Sequence, residues 1–155
     1  MTIKILGGIF RNFALKVPDS PNIRPTAVLV KRRIFDAYQN LADHIFIDLC
    51  AGTGSMGLEA LSRSAAMVFL IEKEKSHYKV LMQNVDKLVQ KCNAMHDIQF
   101  NAPHCFHQSA VEFINVQLHQ LLNKMPDLVP IFYIDPPYED HHLYWEMISS
   151  IQNKV

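Results

Sequence analysis

A short apolar strand that runs directly into a glycine-rich turn and then into a helix constrains this backbone more than any other feature. Ile45-Phe46-Ile47 leads into Asp48-Leu49-Cys50-Ala51-Gly52-Thr53-Gly54-Ser55-Met56-Gly57, and a helical pattern then runs from about Ser55 to Ser64. Met67 to Ile71 reads as a second strand, and Glu72 at its end lies twenty residues beyond Gly52. Tyr78, Leu81, Met82, Val85, Leu88, Val89 and Cys92 keep the spacing of one helix face. The third strand is expected at Ile98 to Phe100. Another helix is marked by Ala110, Phe113, Ile114, Leu118 and Leu121. Ile131 to Ile134 is a buried strand stopped by Asp135-Pro136-Pro137, and a last helix is expected from His142 to Ile151. Strands alternating with helices predict βαβ units, and hence an α/β fold with a doubly wound, Rossmann-like parallel sheet covered on both faces. With 155 residues, 49% of them hydrophobic, residues 1–155 are expected to form one domain.

Ahead of this pattern stands a basic N-terminal segment. Ile3 to Val17 carries the pair Gly7-Gly8 and ends in Pro18-Asp19-Ser20-Pro21-Asn22, which predicts a strand or hairpin followed by a loop. From Thr26 the apolar positions Ala27, Val30, Ile34, Ala37, Tyr38 and Leu41 predict an amphipathic helix, with Lys31, Arg32 and Arg33 on a cationic side. Residues 1–33 hold seven basic side chains and only Asp19 as an acid, so a local net of +6 faces −6 downstream although the whole chain is neutral. Such polarity suits phosphate binding by residues 1–41, with Arg11, Arg24, Lys31 and Arg32 as the candidate contacts; the alternative is a solvated basic face.

The two loops that follow strand ends carry the chemistry, because ligands of such sheets bind at the carboxyl ends of the strands. In the first, glycines let the backbone turn tightly and approach a ligand, and Glu72 is placed to accept hydrogen bonds from ribose hydroxyls. Glu72 could otherwise simply open a charged helix, and Asp48 could serve as a turn or capping residue. A carboxylate at Asp48 suits a cationic cofactor better than a pyrophosphate, which favours the sulfonium of S-adenosylmethionine over NAD. In the second, Asp135-Pro136-Pro137-Tyr138, the prolines fix carbonyl acceptors and Asp135 adds another, a set matched to a planar amino group. Tyr138 offers a face on which an extruded base can stack. The plainer reading is that the prolines only end a strand and Tyr138 packs in the core.

Taken together, Asp48 to Ala60, Glu72 and Asp135-Pro136-Pro137-Tyr138 resemble the cofactor and catalytic motifs of class I amino-methyltransferases. Lys4-Ile-Leu-Gly-Gly-Ile-Phe-Arg11, Ile23-Arg-Pro-Thr26, Val30-Lys-Arg-Arg-Ile-Phe35 and Leu58-Glu-Ala-Leu-Ser-Arg63 narrow the resemblance to the RsmD-type ribosomal RNA guanine-N2 methyltransferases. The resemblance implies that Asp48, Ala51, Gly52 and Gly54 line an S-adenosylmethionine site and that Glu72 holds the ribose. It puts Ser109 at the adenine, and Asp135, Pro136, Pro137 and Tyr138 around the target base. It also implies ribosomal RNA or an assembling small subunit as partner. Two departures stand out. Gln108-Ser109 occupies a place where relatives carry an acidic adenine contact, and Lys31-Arg32 replaces an Arg-Glu pair.

Methyl transfer to DNA or to a protein amide, and a non-catalytic cofactor- or RNA-binding module, are rival readings that share these motifs. Cys50, Cys92 and Cys105 form no C-x-x-C pair and the eight histidines show no ligand spacing, so no metal is expected, and a reducing cytoplasm fits. No apolar run is long enough to span a bilayer. Cys50 reads as a packing residue. Four core strands are legible before Val155, whereas the resembled sheet has seven in the order 3-2-1-4-5-7-6. The expectation is therefore a C-terminally truncated sheet that exposes Ile131 to Ile134 as an edge and self-associates through it.

Overall fold

The computed structural model describes residues 3–18, 28–95, 100–137 and 139–155. The hairpin expected near the N-terminus is present in reduced form: β1 (Ile3–Lys4) pairs antiparallel with β2 (Ala14–Leu15). Helix α1 (Val28–Ala37) follows, and Arg24 and the Ile23-to-Thr26 motif lie outside the described residues. The core then alternates β3 (His44–Asp48), α2 (Ser55–Ser62), β4 (Met67–Ile71), α3 (Lys75–Asn93) and β5 (His104–Phe106). A helical stretch with α4 (Ala110–Phe113), a π-helical turn over Ile114–Leu118 and α5 (His119–Asn123) leads to β6 (Val129–Tyr133) and α6 (His141–Gln152).

All four core strands are parallel and lie in the order β5-β4-β3-β6. In chain order this is 3-2-1-4, the first part of the expected arrangement. Strand side chains alternate between two cores. Phe46, Val68 and Leu70 face α2 and α3 together with hairpin residues Ile5, Phe10 and Leu15. Ile45, Ile47, Phe69 and Ile71 face Phe113, Ile114, Leu118 and Met147 on the other side. Burial on both faces is why these strands read as continuous apolar runs. β6 hydrogen-bonds to β3 alone among the described strands, and Pro130, which has no N–H to donate, sits inside it opposite Ile45.

Two expectations are corrected. The third core strand is His104–Phe106; Phe100 lies outside any strand and Ile98 outside the described residues. His104-Cys105-Phe106 carries no β-branched run, and its place is set by pairing to β4 and by rings, His104 and Phe106 both stacking on Phe69. The second correction concerns α1, whose inward face is the apolar stripe only in part: Ile34 packs against the core and Leu41 is buried just past the helix. Lys31 is 2% and Phe35 1% exposed, whereas Val30 and Tyr38 stand in solvent at 45% and 46%. Lys31 is drawn inward because Nζ pairs with Glu59 Oε2 at 3.0 Å and donates to Ser55 Oγ at 3.1 Å. Its assignment to the RNA-facing surface is withdrawn.

Glu59, fully buried in α2, organises the N-terminal segment. Its carboxylate accepts from the Leu6 and Gly7 amides at 2.7 and 2.8 Å and pairs with Arg63 Nε at 3.0 Å. Arg63 also lies over the Phe35 ring and donates to the Phe35 carbonyl. Gly8, at φ +71°, presses against the Ser62 carbonyl so closely that a Cβ would collide with it. The Gly7-Gly8 pair thus docks the hairpin onto the end of α2.

Candidate cofactor and acceptor site

The carboxyl ends of β3, β4 and β6 meet at one edge of the sheet. The Leu49 amide donates to the Tyr133 carbonyl at 3.0 Å and the Ala51 amide to the Ile71 carbonyl at 2.9 Å, so the glycine-rich turn is tied to both neighbouring strands. The Asp135-Pro136-Pro137 segment leaves β6 beside it. Gly57 lies so close to Leu70 that a Cβ would overlap that side chain, which explains the third glycine as helix-to-strand packing.

Asp48 ends β3 and is 1% exposed. Burial pushes its carboxyl up to about 7; the Cys50 and Gly57 backbone amides oppose that rise, and the nearby Glu72 and Asp135 carboxylates add to it. Among the described residues Asp48 Oδ1 has no hydrogen-bond partner. Glu72, 8% exposed, accepts from the Gly52 amide through Oε2 at 2.8 Å and from the Glu74 amide through Oε1 at 2.7 Å. Those two bonds leave acceptor capacity on each oxygen. Gly52, at φ +53°, has open space where a side chain would stand. An unpaired buried oxygen, a group of three carboxylates and an open flank beside glycine form a cradle that would take a cationic ligand carrying hydroxyls. Ala51 is buried in the turn, and its carbonyl accepts from the Gly54 amide at 2.7 Å.

Asp135 is exposed and accepts from the Tyr133 hydroxyl at 3.2 Å. A cavity of about 200 Å³ lies alongside, lined by Pro136, Pro137, Asp140, His141 and Tyr144. Tyr138 lies outside the described residues. Ser109 caps α4, its hydroxyl accepting from the Glu112 amide at 3.2 Å, and Gln108 is paired with Gln117 of the π-helical turn at 2.7 Å. Burial, reinforced by Asp48, Glu72 and Asp135, lifts the Cys50 thiol to about 12, so it stays protonated and is no nucleophile. Arg11 and Arg32 are exposed. Among the described residues no group of three or more His, Cys, Asp and Glu is placed to hold a metal ion, and no helix is long and apolar enough to cross a membrane.

Sequence reasoning overlooked Glu59, Ser62 and Asn84, all at 0% exposure. Each is a polar residue set among apolar or small helix positions, and that contrast was the signal available.

A family model described as conserved hypothetical protein 95 matches residues 3–155. The chain is similar to Ribosomal RNA small subunit methyltransferase D of Escherichia coli K12, 41% identical over 87 residues, covering 56% of this chain and 44% of that protein. The protein of the same name from Haemophilus influenzae is 31% identical over 140 residues, covering 88% of this chain and 64% of its own. The solved structure of yhhF from Escherichia coli superposes with a TM-score of 0.73 at 27% identity, over 99% of this chain and 74% of that one. The chain thus spans less than half of the Escherichia coli methyltransferase it matches and under two thirds of the Haemophilus one.

Proposed function

We propose that this chain, which belongs to the family described as conserved hypothetical protein 95, binds S-adenosylmethionine and methylates the exocyclic N2 amine of a guanine in small-subunit ribosomal RNA. The observation that carries the reading is the meeting of two loops at adjoining strand ends. One is a glycine turn flanked by buried Asp48 and Glu72, and the other is Asp135-Pro136-Pro137. The names of the relatives supply the acceptor, ribosomal RNA of the small subunit. The reading goes with a cytoplasmic location.

When bound, the cofactor supplies a methyl group activated by a sulfonium charge. Asp48, Ala51, Gly52 and Gly54 line its site, the open flank of Gly52 admits it, Glu72 accepts from ribose hydroxyls, and Ser109 lies toward the adenine. Asp48 Oδ1, Glu72 and Asp135 favour the positive charge. Pro136 and Pro137 present rigid carbonyls to the target amine, Tyr138 stacks on the base, and Asp135 orients one N–H and accepts its proton after transfer. The residues provide proximity and orientation, with no covalent nucleophile. Arg11, Arg24 and Arg32 contact phosphates.

The test is transfer of labelled methyl from S-adenosylmethionine to small-subunit ribosomal RNA, partly assembled subunits, DNA and protein side by side, followed by mapping of the modified base. Label at a guanine N2 of the RNA is expected. Label only on DNA or protein, or cofactor binding with no transfer to any acceptor, would overturn the reading.

A further inference from the structure

Asn84 lies on the buried stripe of α3, between Leu81 and Leu88, where an apolar residue is the ordinary choice. Both of its N–H donors and its oxygen are engaged. Nδ2 donates to the Thr53 carbonyl at 2.9 Å and to the Lys16 carbonyl at 3.0 Å, while Oδ1 accepts from the Lys16 amide at 2.7 Å. The side chain therefore holds two pieces of backbone far apart in sequence. Thr53 is the middle of the glycine-rich turn, between Gly52 and Gly54, both in the left-handed region at φ +53° and +81°. Lys16 lies just past β2, in the basic segment. A second tie spans the same two parts, because Lys31 Nζ reaches Ser55 Oγ at the other end of the turn.

We propose that Asn84 is a positioning residue that locks the glycine-rich turn and the N-terminal segment into one unit, so that the two substrates bind cooperatively and in register. This rests on the functional reading above. A turn with two left-handed glycines has a soft backbone, and pinning its central carbonyl fixes where its ligand sits. The same amide fixes the backbone that continues into the RNA-contacting stretch. A ligand that orders either piece lowers the ordering cost of the other, so each raises the affinity for its partner reciprocally.

The experiment measures the affinity of S-adenosylhomocysteine by calorimetry with and without transcribed small-subunit ribosomal RNA, together with KM for cofactor and for RNA. The wild type should bind the product on the order of tenfold more tightly with RNA present. Asn84→Asp keeps the shape and the acceptor but removes both donors. It should bring that ratio close to one and raise both KM values. A purely packing role would instead lower the melting temperature and leave the ratio intact. Lys16→Pro and Lys16→Ala provide an independent pair: only the proline removes the amide that Asn84 accepts from, so only the proline should abolish the ratio. An unchanged ratio in Asn84→Asp overturns the inference; if that variant fails to fold, an unchanged ratio in Lys16→Pro does so. A wild type that binds no cofactor overturns the functional reading first and this inference with it, so the two failures are separable.

Discussion

The substitution Asp48→Asn should stabilise the protein above neutral pH while weakening its hold on the cofactor. Burial, the largest cause, raises the Asp48 carboxyl from 3.8 to about 7 in the folded chain. A raised carboxyl means the folded state binds the proton more tightly than the unfolded state does. Its contribution to stability is therefore fully present below the unfolded value of 3.8 and is lost as pH rises toward about 7. An interval of about three pH units at 1.36 kcal/mol each places the cost of ionised Asp48 at roughly 4 kcal/mol above pH 7, an upper figure because local relaxation reduces it. The substituted carboxamide stays neutral at every pH and has nearly the same shape. The stability difference between variant and wild type should therefore be near zero at pH 4 and grow to about 2–4 kcal/mol at pH 8. Urea unfolding of both proteins at pH 4, 5.5, 7 and 8 measures it, and taking the difference cancels the titrating groups not coupled to Asp48, leaving only its interplay with Glu72 and Asp135. The same logic predicts that at pH 6 the wild type releases a proton on binding a cationic cofactor, visible as a dependence of calorimetric heat on buffer ionisation. A variant no more stable than wild type at pH 8, with parallel pH profiles, would refute the reasoning.

Asp135→Ala should abolish methyl transfer while changing product affinity by less than about twofold, since the demethylated product lacks the sulfonium charge that Asp135 favours and its other role is at the acceptor; calorimetry beside a labelling assay checks both. Gly8→Ala should destabilise by at least about 1–3 kcal/mol, from the left-handed φ and the collision with the Ser62 carbonyl, as read by thermal melting. Arg32→Glu should leave the melting temperature within a degree or two but weaken RNA binding and lower the slope of log affinity against log salt by about one. Lys31→Ala should do the reverse, destabilising by about 3 kcal/mol because Glu59 loses a buried partner.

Elements whose burial is symmetrical were easiest to read. Met67–Ile71 is apolar at every position because both faces of β4 are covered, and its bounds agree with the sequence reading. The glycine turn was legible for the same local reason, since it joins strand and helix within ten residues. What stayed hidden depends on partners distant in the chain. Lys31 looks like a surface cation until Glu59, 28 residues later, is folded against it. Asn84 reads as a neutral helix residue until the amide of Lys16, 68 positions earlier, arrives. His104–Phe106 has no strand composition of its own and is held by ring stacking on Phe69 and pairing to β4. In the candidate site, Asp48, Gly52 and Glu72 could be located by motif spacing; Ser109-Ala-Val-Glu112 likewise has the Ser-x-x-Glu spacing of a helix cap, a local signal that the reading of Ser109 as an adenine contact passed over.

The docking of residues 5–16 onto α2 and α3 also bears on how the chain acquires its structure during synthesis. The anchors of that segment, Glu59, Ser62 and Asn84, lie 52 to 68 positions beyond the residues they hold. Made well before its anchors, the segment has no complete set of partners until α3 has followed it out of the ribosome. At synthesis rates of about 5–20 residues per second, that is several seconds of exposure for a basic, partly apolar strand pair. Its closure involves contacts of high sequence separation and comes late in folding. A segment with this history should be the part most open to proteases in nascent chains, and a chaperone that shields it should raise the yield of folded protein more than one acting on the later helices.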